Sequence, residues 1–240
     1  LTISARLNLI SRKEREQPMQ LSAVFLARVL LFVEAIDLNP RGTAYYPEIV
    51  RAVVERYGFQ KFPQKPEEFD EAKGVTFEQG RAGDVTIDRM TIYDKGLQLD
   101  TTRDTNTSET ILEEALGWAT QKLGLVYKPK MVRRKGYVSN FTFYSDAPLL
   151  QTNSVLNDLS AKVSKVVSDN LKFAANFQPS AILIGQDPEN QQIPTTLFSI
   201  ERRAQTPYSE KKYFSAAPVP THIHFGLVEE YEKTVLAQKA

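Results

Sequence analysis

The sequence predicts an α+β fold, a largely antiparallel (mixed) sheet with helices packed mainly on one of its faces. Three observations lead there. Strand-like runs follow one another across tight turns, as at 84–93 and 97–102 around Asp94-Lys95-Gly96. Amphipathic helical runs recur at 46–57, 109–123, 152–171 and 222–237. Alternating strand–helix–strand units are few, so hairpins rather than parallel crossovers join most strands.

The elements can be justified in order. Residues 21–36 are almost wholly apolar, with Arg28 and Glu34 inside the run. Val24, Phe25, Val29 and Phe32 favour a strand while the length favours a helix; the strand reading is adopted. Asn39-Pro40-Arg41-Gly42 marks a turn. The helix at 46–57 starts with Pro47, whose missing N–H costs nothing in the first turn, and stops at Gly58. Residues 60–73, with two prolines and several acids, read as a loop with at most a short helical turn.

Strands are expected at 74–79, 84–93 and 97–102. Thr105-Asn106-Thr107-Ser108 supplies capping chemistry for a helix at 109–123, closed by Gly124. A long strand at 133–144 places Phe141 and Phe143 on one side and Val138 and Tyr144 on the other. The helix at 152–171 has the clearest period, with Leu156, Leu159, Val163, Val166, Val167 and Leu171 opposite Asp158, Lys162, Lys165 and Asp169. Strands at 180–186 and 195–203 follow. Residues 204–220 read as irregular, and a last helix at 222–237 takes Thr221 as its cap. No internal repeat is visible. Residues 1–18 form a mildly basic N-terminal arm or a non-native extension. Residues 19–240 form a single α+β domain, with a possible subdivision near 146–151.

Composition narrows the function classes. The 240 residues carry 30 basic and 29 acidic side chains, a net charge of +1 that gives no global pull toward nucleic acid or an anionic membrane. There is no cysteine, which removes thiol nucleophiles, thiolate metal sites and disulfides. A reducing, cytoplasmic setting is expected, with no membrane span, since the apolar stretch at 21–36 is short and carries charges. The phosphate-cradling and nucleophile-elbow glycine motifs are absent, and the 11 glycines are scattered.

Three groups of residues remain as candidates. His222 and His224 are the only histidines. On an extended strand they would share a side and could hold a metal for a hydrolase. On a helix they diverge by about 200° and chelate poorly. Lys128, Lys130, Arg133, Arg134 and Lys135, with Tyr137 and joined by Arg202 and Arg203 if their strands pair, would suit phosphates and stacked bases. Tyr208, Tyr213 and Phe214, in the proline-rich 204–220 segment, would suit a protein partner. The expectation is a non-enzymatic interaction or assembly component without a cofactor, with a protein partner or a homo-oligomer. The alternatives are a nucleic-acid-associated protein and a metal-assisted hydrolase.

Overall fold

A computed structural model describes residues 19–238 apart from 43, 71, 191, 192 and 194; the N-terminal arm expected at 1–18 lies outside the described residues. Eight strands form one antiparallel sheet: β1 (Gln20–Phe32), β2 (Val75–Ala82), β3 (Val85–Tyr93), β4 (Gly96–Thr101), β5 (Arg134–Tyr144), β6 (Ala181–Ile184), β7 (Phe198–Arg202) and β8 (Lys212–Ala217). Their spatial order is β2-β3-β4-β1-β5-β8-β7-β6. The helices are α1 (Ala35–Leu38), α2 (Tyr46–Tyr57), α3 (Thr105–Leu123), α4 (Ser154–Leu171) and α5 (Thr221–Ala237). The fold is α+β, as the hairpin-rich order predicts.

The ambiguous apolar run is a strand because it is the centre of the sheet. β1 pairs with β4 on one edge and β5 on the other. Ala27, Val29 and Leu31 face the helices and are fully buried, while Arg28 and Leu30 between them face away. The α2 helix ends as its sequence requires, with Gly58 left-handed at φ 61° and its N–H donating to Val54 O. Gly96 is required by close packing, since a Cβ there would lie 2.5 Å from Leu31 O.

Several boundaries differ from the sequence reading, and three of them matter for the fold. The third helix begins at Thr105, because Asp104 caps it by accepting from Thr107 N. The last helix begins at Thr221 itself, and Pro220 stands at the cap without a side-chain bond. Most importantly, 204–220 is not irregular throughout. It contains β8, whose inward residues Tyr213, Ser215 and Ala217 are buried between β5 and β7.

With β8 in place the sheet has a two-fold plan that no repeat in the sequence announces. Apart from the one-turn α1, which has no counterpart in the second half, the order β1-α2-β2-β3-β4-α3 is followed by β5-α4-β6-β7-β8-α5. Thr101 pairs with Ala27, Ala217 pairs with Ser139, and Ala27 and Ser139 pair with each other. A pseudo-two-fold axis therefore passes between Ala27 and Ser139, both fully buried. Thr105 and Thr221 each begin the helix that leaves β4 or β8. They exchange bonds across the axis, Thr105 N to Thr221 Oγ1 at 3.1 Å and Thr221 N to Thr105 Oγ1 at 2.9 Å. Two helix N-termini thus satisfy each other's orphan donors.

Each half has its own core on the helical face. The first joins α2 and α3 to β1–β4 through Val50, Val53, Tyr57, Phe77, Leu99 and Leu112. The second joins α5 to β5, β7 and β8 through Phe141, Phe143, Ile200, Tyr213 and Val228. The segment 146–151 belongs to the second core, with Ala147, Leu149 and Leu150 buried. No residue of α4 enters either core.

Candidate interaction surface

The exceptional element is α4. It occupies the position in the second half that α2 holds in the first. Val50, Val53 and Tyr57 of α2 are buried against the sheet, but α4 buries no residue at all. Its apolar stripe faces outward: Val155 is 72% exposed, Leu159 54% and Val166 58%, with Leu156 and Val163 beside them. The helix itself is well made. Asn153 caps it by accepting from Leu156 N, and Lys172 closes it in the left-handed region at φ 57°. The returning chain is held along it by Ser164 Oγ accepting from Phe177 N and Ser168 Oγ accepting from Ala175 N. That return carries Phe173 and Phe177, both exposed, toward β6.

β6 is the end strand of the sheet and reads Ala-Ile-Leu-Ile, with Leu183 and Ile184 exposed on opposite faces. The opposite end of the sheet is different. β2 is bridged at Glu78 by Lys61 and carries Glu78 and Arg81, the charges that protect an edge from unwanted pairing. β6 carries no charge.

The sequence-predicted candidates fall in separate places. His222 is exposed at the second position of α5, and His224 is fully buried at the fourth, so the pair diverges as a helix demands. His224 Nε2 lies 2.7 Å from Ser215 Oγ. Ser215 donates its own hydroxyl proton to Ser199 O, so the imidazole must be the donor in that contact. Nδ1 has no hydrogen-bond partner, and Phe141 stacks at 4.2 Å. Burial pushes the imidazole down to about 4, against a smaller opposite effect of the Ser139 carbonyl. This histidine is a neutral core residue at the position where the first half has Ser108. Among the described residues no group of three or more His, Asp or Glu side chains is placed to hold a metal ion.

The basic run is partly neutralised. Arg133 pairs with Glu34 at 3.2 Å and Asp37 at 3.6 Å. Lys135 bridges Glu109 and Glu113, which raises its pKa, and Tyr137 donates to Glu109 at 2.9 Å. Lys128, Lys130 and Arg134 remain exposed. Arg202 and Arg203 do not join them. Arg202 pairs with Tyr213, and Tyr213 with Phe143, at the far end of β5 from Arg134, roughly 30 Å away at ~3.3 Å per residue. There Arg202 stacks over Tyr208 and Tyr213, and Arg203 over Phe25 at a bulge of β1.

The three aromatics of 204–220 also separate. Tyr213 is 1% exposed and stacked on Phe143, Phe214 is half-buried, and only Tyr208 is exposed. Tyr213 is therefore a core residue rather than a contact surface, because β8 turns it inward. The sequence matches no protein-family model and no curated protein. No helix among the described residues is long and apolar enough to cross a membrane.

Sequence reasoning missed the α4–β6 surface although every residue of it was in view. The stripe on α4 has the same period as a core-facing helix, and periodicity does not say what covers the stripe.

Proposed function

We propose that the protein is an assembly component that pairs with a second copy of itself through α4 and the free edge of β6. The observation that carries this reading is a well-capped amphipathic helix with none of its residues buried. Large apolar patches on a folded chain mark interaction sites. The apolar side chains of α4 are joined in exposure by Phe173 and Phe177 on the returning chain, and a standard stable interface covers ~800 Å² per partner.

A second copy suits this surface for a geometric reason. A free edge strand meets its own symmetry mate antiparallel across a two-fold axis, so every bond made by one copy is returned by the other. The sheet already uses that arrangement internally, where β1 and β5 meet at Ala27 and Ser139. Among the described residues the two histidines diverge and the basic run is partly ion-paired, which favours a surface role over a metal or phosphate site.

The test is light scattering on the eluting protein at micromolar concentration. The expected mass is twice the 27.2 kDa of the chain. Val163→Asp with Val166→Asp, both on exposed positions, is expected to yield the single-chain mass with an unchanged circular dichroism spectrum. A native chain that stays at the single-chain mass up to about 100 μM, where interfaces of ordinary strength are filled, overturns the reading.

A further inference from the structure

The first half of the molecule contains a cavity of about 290 Å³ between the sheet and helices α1, α2 and α3. Its walls include Ile49, Val53, Met90, Ile92, Trp118 and Leu123, and no charged side chain lines it. Asn39, Tyr46 and Tyr93 also line it, and the most deeply buried of its polar residues is Tyr57. The residue lines the cavity, is 5% exposed, and its oxygen is buried without a partner. Arg56 stands beside the Tyr57 ring, 5.3 Å from its centroid and 4.9 Å from that of Trp118; burial pushes the Tyr57 hydroxyl pKa up, and the Arg56 charge pulls against it.

We infer that this cavity binds a neutral, mainly hydrocarbon small molecule carrying one hydrogen-bonding group directed at the Tyr57 hydroxyl. The volume is at the lower end of known ligand pockets and holds about ten to fourteen non-hydrogen atoms at interior packing density. The cavity opens to solvent beside Ile36, which is 75% exposed, so a hydrocarbon that enters releases water from an apolar wall. A wall lined by no charged side chain disfavours a carboxylate or an ammonium, which must give up its hydration on entry. A buried hydroxyl without a partner is satisfied when an alcohol or carbonyl oxygen arrives. The site is built from the first half of the chain, away from α4 and β6, so it stands or falls independently of self-association.

Trp118 is the only tryptophan in the chain and it lines the cavity, so it reports occupancy without a label. The experiment titrates the native protein with decanol and, separately, with decanoate at neutral pH, following Trp118 fluorescence and the melting temperature. Decanol is expected to give a saturable change at one site per chain, a raised melting temperature, and affinity at least tenfold above that of decanoate. Tyr57→Phe is expected to weaken decanol three- to tenfold, the loss of one hydrogen bond. Ala115→Leu, which fills the cavity, is expected to abolish the saturable change while the protein still melts cooperatively. Should that variant fail to fold, the decanol–decanoate comparison on the native chain decides alone. A non-saturating response to decanol, equal or tighter binding of decanoate, or unchanged decanol binding in a folded Ala115→Leu variant overturns the inference.

Discussion

His224 is a buried imidazole that folding keeps neutral, which makes it a proton-linked element of stability. Its folded pKa of about 4 lies below the unfolded value of 6.5. The unfolded chain therefore binds the extra proton first as pH falls. Stability from this residue is complete above pH 6.5, declines between 6.5 and 4, and is gone below. The span corresponds to at most ~3 kcal/mol. Denaturant midpoints at pH 7.5 and 4.5 are expected to differ more for the native chain than for His224→Gln, which keeps a donor near Ser215 and cannot titrate. Equal differences in the two proteins would show that the imidazole does not carry this linkage. At the same scale, Arg28 binds Asp100 with two bonds of 2.8 and 2.7 Å, and Gln98 adds a third donor at 3.1 Å. A polar cluster on the face away from the helices thus ties β1 to β4.

At the scale of elements, the join between the halves rests on the reciprocal bonds of Thr105 and Thr221 at two helix starts. Thr105→Val leaves the buried Thr221 N–H without its acceptor, and a loss of about 1–3 kcal/mol is expected in urea unfolding. Thr105→Ser retains the oxygen and is expected to lose less than half as much. Similar losses in both would show that the bonds contribute little. Much of this level was legible in the sequence. Pro47 and Gly58 bracket α2 correctly, and the placement of Phe141 and Phe143 opposite Val138 holds in β5. What escaped was β8. Its inward positions are Tyr213, Ser215 and Ala217, two of them small and one polar, so no apolar alternation marks it, and the prolines around it suggest a loop. Its burial comes from β5 and β7 on either side, which local sequence does not display. Losing β8 also hid the two-fold plan. The candidate surface escaped for a related reason, since the stripes of α2 and α4 look alike and only the fold shows which one is covered.

The whole molecule is then two related halves that differ in completeness. The first buries its α2, has a bridged sheet edge, and holds an apolar cavity. The second leaves α4 uncovered and ends on an uncharged strand. Pairing two molecules at the unfinished end would cover both features in one step. Hydrogen exchange at each amide, measured on dilute and concentrated protein, tests this most directly, because α4 and β6 would be slowed only where another molecule covers them. Residues 154–171 and 181–184 are expected to exchange at least tenfold more slowly in the concentrated sample, with 105–123 unchanged as an internal reference. Concentration-independent exchange in all three segments, from micromolar to millimolar protein, would contradict self-association through this end of the molecule.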